Sequence, residues 1–219
     1  MSVRVKICGL RSAADLDACL RAEVHAVGFN FYEKSKRFIA TRTAADLARA
    51  LPSSVWKVGV FVGATPASVH DHLCAVALTH AQLHGDETPA DFTDVGAPLV
   101  QVIRVKDRAS LAQRPSPAAA VVLLDTFVAG FGGSGEAFDW RWVGDATADW
   151  KVPIVLAGGL TPENVAQAIS QARPWGVDVA SGVESAPGVK DPARVLAFAQ
   201  AVKDASAQLA PGPQIRSHG

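Results

Sequence analysis

Short apolar runs rich in β-branched residues recur along the chain, each followed by a polar or glycine-bearing turn and then an alanine-rich stretch with helical spacing. The runs cover residues 3–7, 26–31, 56–62, 81–83, 99–105, 119–124, 153–157 and 177–180. Helices fit between them at about 12–23, 43–51, 66–76, 87–95, 108–113, 140–145, 162–171 and 192–207. Two of these starts carry an explicit signal: Thr161 precedes Pro162 and Asp191 precedes Pro192, each placing a capping side chain ahead of a proline at the first helical position. Strands that are apolar on both faces need cover on both faces, which predicts a parallel sheet. Eight βα units then close into a (β/α)₈ barrel, the TIM-barrel class of α/β fold, as one domain over residues 1–206. An open doubly wound sheet is the competitor. The barrel is preferred because reactive-looking residues follow nearly every strand, and only a barrel gathers all strand C-termini on one rim.

Composition supports this picture. The chain has 219 residues, of which 49% are hydrophobic and 19% charged, enough for one lean barrel with no inserted domain. No internal repeat of solenoid period interrupts it. Residues 207–219 read as a disordered tail, most strongly from Ala210, where proline, glycine and polar residues dominate. Basic and acidic residues balance at 21 each, which gives no broad electrostatic reason to expect nucleic acid or an acidic membrane as partner. The expected partner is a small molecule, and the subunit state is left between monomer and homodimer. Neither a leader-like start nor a run of membrane-spanning length is seen, so a cytoplasmic location is expected. The three cysteines, Cys8, Cys19 and Cys74, lack metal-type spacing and are read as free thiols.

Candidate chemistry sits at strand ends. Cys8 closes the first strand in Lys6-Ile7-Cys8-Gly9, with Gly9 allowing a sharp turn; it suits a thiolate base, or is a small buried apolar residue. Asp125 emerges from the apolar run of the sixth strand, where incomplete solvation would favour a protonated general acid; a loop-capping aspartate is the alternative. The glycine-rich segment Phe131-Gly132-Gly133-Ser134-Gly135 follows it, in the manner of a loop that closes over substrate. Two glycine-bearing turns, Ala157-Gly158-Gly159-Leu160 and Ala180-Ser181-Gly182-Val183, end the seventh and eighth strands. Either alone would be an ordinary connection, but together they suit a phosphate. In the basic cluster after the second strand, Arg37 offers a fork for a carboxylate, while Lys34 and Lys36 read as solvated. His84, ending the fourth strand, serves either substrate or its own loop; His25, His70, His72 and His80 read as structural or exposed, and His218 belongs to the tail.

Taken in order, Val5-Lys6-Ile7-Cys8-Gly9, Ala26-Val27-Gly28-Phe29 with Ser35-Lys36-Arg37, Val58-Gly59-Val60-Phe61, Gln82-Leu83-His84-Gly85, Leu124-Asp125-Thr126 with Gly132-Gly133-Ser134-Gly135, Ala157-Gly158-Gly159-Leu160 and Asp178-Val179-Ala180-Ser181-Gly182-Val183-Glu184 resemble the ordered motifs of phosphoribosylanthranilate isomerases of tryptophan biosynthesis. The resemblance runs from Val3 to Ala199. It implies an Amadori rearrangement of N-(5-phosphoribosyl)anthranilate to 1-(2-carboxyphenylamino)-1-deoxyribulose 5-phosphate, without metal or organic cofactor. It further implies Cys8 as general base and Asp125 as general acid. Arg37 would hold the anthranilate carboxylate, His84 would lie in the substrate site, and Gly158, Gly159, Ser181 and Gly182 would surround the phosphate. Asp178 would orient groups in the site by hydrogen bonding. Lys36 stands where many relatives have proline, the segment from Arg104 to Pro117 has little family character, and residues beyond Ser206 lie outside the resemblance. Related ribose-phosphate barrels, an indole-glycerol-phosphate synthase or a histidine-pathway isomerase, would require a lysine acid or an aspartate at position 8. A non-catalytic phosphate-binding barrel would have lost the acid–base pair.

Overall fold

The computed structural model describes residues 2–126 and 138–209. Eight parallel strands form a closed barrel in sequence order: β1 (Arg4–Cys8), β2 (Ala26–Asn30), β3 (Trp56–Phe61), β4 (His80–Leu83), β5 (Leu99–Val105), β6 (Ala119–Thr126), β7 (Ile154–Leu156) and β8 (Gly176–Val179). β8 returns to β1 with Lys6 opposite Asp178, which closes the ring. The helices are α1 (Ala13–Arg21), α2 (Thr41–Arg49), α3 (Pro66–Val76), α4 (Arg141–Ala146), α5 (Val165–Ala172) and α6 (Pro192–Gln208). Among the described residues, no helix is long and apolar enough to cross a membrane.

Each predicted strand is present, with ends shifted by a few residues at most. The helices depart more. The fourth and fifth are short 3₁₀ turns, Pro89–Phe92 and Arg108–Ala112, because prolines at 89, 98, 115 and 117 and glycines at 85 and 96 leave no stretch long enough for an α-helix. Thr161 accepts the N–H of Glu163 in a turn, and α5 begins only at Val165; the predicted start at Pro162 is therefore three residues early. Asp191 behaves as expected, accepting from the N–H groups of Ala193 and Arg194 at 2.8 and 3.2 Å. The last helix continues to Gln208, past the boundary placed at 206. One small element escaped the sequence reading: an antiparallel hairpin of β9 (Glu184–Ala186) and β10 (Val189–Lys190) after β8.

Strand alternation divides the side chains between two cores. Val5, Ile7, Val27, Phe29, Ala81, Leu83, Val122, Leu124, Val177 and Val179 join the layer beneath the helices. Val100, Val121, Leu123, Val155 and Ala157 form a separate cluster inside the barrel. The same alternation places Lys6, Cys8, Gln82 and Asp178 on the inner side, so the interior turns from apolar to polar toward the strand C-termini. At the other end Trp56 stacks on His80 at 3.9 Å and meets Trp175 in a tilted contact at 5.4 Å, and the Arg4 guanidinium lies over the Trp175 ring at 4.8 Å. This floor is a stabilising feature, remote from the rim.

Two outcomes follow from this architecture. Asp191→Ala removes the cap of α6 and is expected to cost about 1 kcal/mol in urea unfolding. Burial holds the His80 imidazole down at about 4, against an ordinary 6.5. The unfolded chain therefore binds the extra proton between those values, so stability is full above pH 6.5 and falls as pH drops through that window. His25, also lowered by burial and by Arg4, adds to the fall. Urea midpoints measured from pH 7.5 to 5 should decline less in His80→Phe, which keeps the ring stack and loses the titration.

Candidate active site

Four groups of residues meet the C-terminal rim. The first lies at the β1–β8 seam. Cys8 ends β1 with Gly9 beyond it at φ +84°, which bears out the predicted sharp turn. Two residues earlier on the same face, the Lys6 ammonium donates to Asp178 Oδ2 at 3.0 Å. Both side chains of this pair are about nine-tenths buried. Asp178 Oδ1 is buried with no hydrogen-bond partner among the described residues. Burial pushes the Cys8 thiol above its ordinary range, and the nearby Lys6 and Lys190 charges pull against that without reversing it. Burial likewise opposes the Lys6 charge, but Asp178 and Cys8 outweigh it and hold the ammonium above its usual value.

The second group contains the candidate acid. β6 sends Asp125 inward in line with Val121 and Leu123, and β4 sends Gln82 and His84 inward from across the neighbouring β5. His84 Nε2 is 3.2 Å from Asp125 Oδ2, and its Nδ1 is 2.8 Å from Gln82 Nε2. Gln82 is fully buried and its Oε1 has no partner among the described residues. Arg104 on β5 donates to the His84 carbonyl at 2.7 Å, fixing the loop that carries the imidazole. His84 thus pairs with a neighbouring candidate side chain, Asp125, an outcome beyond the substrate or loop roles expected for it.

Arg37 forms the third group. Its Nε and Nη2 donate to Glu184 Oε1 and Oε2 at 2.7 and 2.9 Å, so one edge of the fork is already taken. Lys190, its side chain wholly buried, donates to the same Glu184 at 2.9 Å and to the Ala180 carbonyl at 3.0 Å. Burial works against the Glu184 carboxylate, but the hydrogen bond from Arg37 and the charge of Lys190 keep it below the ordinary carboxylate range. The β9–β10 hairpin makes this possible by delivering both Glu184 and Lys190 against the loop after β2.

The fourth group is the pair of turns after β7 and β8. Gly158 and Gly159 take φ of +80° and +68°, a region that glycine adopts without strain. A Cβ on Gly182 would collide with the Leu160 carbonyl oxygen, so the two turns touch backbone to backbone. Asn164 fastens the first by donating to Gly159 O and accepting from Thr161 N, both at 2.8 Å. Arg194 fastens the second through the Gly182 carbonyl at 2.9 Å. Ser181 opens a single 3₁₀ turn, Ser181–Val183, beside them.

The structure therefore gathers Cys8 with Asp178, and Asp125 with His84, on separate sides of one rim, with Gly158, Gly159, Ser181 and Gly182 forming a backbone-lined edge. Phe131 to Gly135 lie outside the described residues, as does His218. Cys19 is buried and its thiol is pushed up to about 12, chiefly by that burial; Cys74 is exposed in α3. Among the described residues, no three His, Cys, Asp or Glu side chains converge as a metal site. Sequence reading overlooked Lys6, Gln82, Glu184 and Lys190. The first two carried a signal, since each stands two residues before a chosen residue on the same strand face.

This arrangement has counterparts among known proteins. The family model described as N-(5'phosphoribosyl)anthranilate (PRA) isomerase matches residues 5–201. An N-(5'-phosphoribosyl)anthranilate isomerase of Methylibium petroleiphilum is 46% identical over 213 residues, covering 96% of this chain and 98% of its own length. The crystal structure of the phosphoribosyl anthranilate isomerase of Thermotoga maritima superposes with a TM-score of 0.85 at 38% identity, covering 92% of this chain and 99% of that one. A further isomerase structure, in complex with reduced 1-(o-carboxyphenylamino)-1-deoxyribulose 5-phosphate, gives 0.81 at 35% identity, with the same coverage. With the family's pattern matched from the first strand to the last helix, this chain belongs to the N-(5'-phosphoribosyl)anthranilate isomerases.

Proposed function

We propose that the chain performs the family's aldose–ketose isomerisation of N-(5'-phosphoribosyl)anthranilate with Asp125 as general acid and Cys8 as general base. The observation that carries this reading is the separation of the two groups: a thiol beside an ammonium on β1, and a carboxyl tied to an imidazole on β6, both at the strand C-termini. Asp125 gives its proton to the ribose ring oxygen as the anthranilate nitrogen lone pair opens the ring to a protonated Schiff base. The Cys8 thiolate then takes the proton from sugar C2, and those C–H electrons form the C1–C2 double bond of an enolamine while the iminium nitrogen is neutralised. Tautomerisation of the enolamine gives the ketose. Keeping acid and base apart lets each hold its own protonation state.

An Asp125 that acts as acid needs its proton held until the ring oxygen arrives. The Gln82–His84–Asp125 chain positions that carboxyl: Gln82 Nε2 donates to His84 Nδ1, so the imidazole hydrogen sits on Nε2 and is donated to Asp125 Oδ2, leaving Oδ1 for the acid proton. Arg37, locked on one edge by Glu184, would take the anthranilate carboxylate end-on; its preset orientation limits the entropy lost on binding. The turns at Gly158, Gly159, Ser181 and Gly182 would receive the phosphate through backbone groups, and the unpaired Asp178 Oδ1 suits a sugar hydroxyl.

Loss of anthranilate-type fluorescence on adding freshly generated substrate to chelator-treated protein tests the reading. Cys8→Ala and Asp125→Asn should each lower kcat by about 10²–10⁴-fold and leave KM within a few-fold. A wild-type chain with no turnover would overturn the substrate assignment, and an unimpaired Cys8→Ala would remove the thiol from the chemistry. Arg37→Lys keeps the charge but loses the fork. It is expected to raise KM by about tenfold, roughly 1.4 kcal/mol, with a smaller change in kcat, as steady-state kinetics would show.

A further inference from the structure

The base is the part of this site least ready for its task. A thiol nine-tenths buried is disfavoured as a thiolate, and burial is the largest influence on Cys8. The charges that act on the sulfur among the described residues are few, and they are of both signs. Lys6 approaches from β1, Asp178 from β8, Lys190 from the β9–β10 hairpin and Arg37 from the loop after β2. Arg37 and Lys190 are both paired to Glu184. Lys6 is different: it stands on the base's own strand face, and its ammonium is anchored by a single oxygen of Asp178.

The backbone opposite supplies the space. Gly28 on β2 pairs with Cys8 in the barrel register. A Cβ on Gly28 would fall 2.8 Å from Cys8 Sγ and 3.2 Å from Lys6 Nζ. Sulfur and ammonium therefore flank the same hollow, which any larger residue would fill. Asp178 fixes the far side of the ammonium, and the near side faces the thiol.

We propose that Lys6 is a positioning residue for the base: held by Asp178 and accommodated by the hollow at Gly28, its ammonium is the counter-ion of the Cys8 thiolate that abstracts the substrate proton. Ionisation sends the thiol proton to solvent, and the lysine stays charged throughout. Asp178 has the opposite influence on the sulfur, as a carboxylate that disfavours a second negative charge nearby. The net effect of the pair on the sulfur is set by Lys6, whose charge outweighs that of Asp178 there. This inference rests on the assignment of Cys8 as base only for its consequence in catalysis, since the state of the thiol can be read without substrate.

The test uses the chain's own three cysteines. Alkylation by iodoacetamide is followed at each by peptide mass spectrometry from pH 7 to 10. Cys74, exposed, calibrates the reagent, and Cys19, buried, reports any opening of the fold. Lys6→Met should slow alkylation of Cys8 at pH 8 by about tenfold, a shift of roughly one pH unit, with Cys19 still protected. Asp178→Asn should speed it. Loosened packing would accelerate Cys8 and Cys19 together in both variants, so opposite signs at Cys8 with Cys19 silent are the signature of charge. Where either single variant does not fold, Lys6→Met with Asp178→Asn in one chain leaves neither charge alone, and slower alkylation of Cys8 is again expected. The rise of kcat/KM with pH should move to higher pH by the same amount in Lys6→Met. Unchanged or faster alkylation of Cys8 in both lysine variants would overturn the proposal. Slower alkylation combined with full turnover in Cys8→Ala would instead uphold the ion pairing and overturn the base assignment.

Discussion

Closing eight strands into a ring forces the first against the last, and here that seam carries a lysine and an aspartate in the barrel interior. Register leaves no alternative: Lys6 and Asp178 are opposed on β1 and β8, and both face inward because Val5, Ile7, Val177 and Val179 face the helices. A buried pair of this kind contributes little net stability. Breaking it is another matter, since removing one partner leaves the other uncompensated at a cost of about 3–5 kcal/mol. The seam therefore constrains which residues can occupy the upper barrel, and the Cys8 thiol is placed one layer above it.

The rest of the rim can be seen as a response to that placement. Positive charge gathers on the side of Cys8, where Lys6, Lys190 and Arg37 converge and the single carboxylate of Glu184 pairs with the last two. The opposite side is organised by a side-chain hydrogen-bond chain through Gln82, His84 and Asp125, with Arg104 holding the His84 carbonyl. One barrel thus maintains two electrostatic environments a few strands apart. The apolar cluster of Val100, Val121, Leu123, Val155 and Ala157 below them fills the interior, and the tryptophan floor carries packing far from the chemistry.

Much of this was legible in the chain. Strand positions followed from short β-branched runs because a parallel barrel buries both faces of every strand. The two 3₁₀ turns read as helices because they stand between strands in the βα rhythm, while the flanking prolines set the limit. Pro162 after Thr161 reads as a first helical residue, yet its fixed φ suits a turn equally well, and Asn164 completes that turn before α5 begins. The hairpin after β8 was passed over despite Pro187-Gly188 at its tip, because strands of three and two residues leave no pattern. Cys8, Asp125, His84 and Asp178 could be chosen from their places at strand ends. What they touch could not: Glu184 lies 147 residues from Arg37, and no local signal announces that it will occupy one edge of the guanidinium.

Lys6 and Asp178 are separated by 172 residues. Translation therefore delivers the lysine and the thiol long before their carboxylate partner. The first strand must wait, with its cation unpaired, through the synthesis of six further βα units, and non-local closure of this sort is slow to form. Val3 is tied even later, to Ser206 in the final helix. A nascent chain therefore contains the nucleus of the site long before it has a site, and catalytic competence arrives only when translation has run through the eighth strand and the ring has shut.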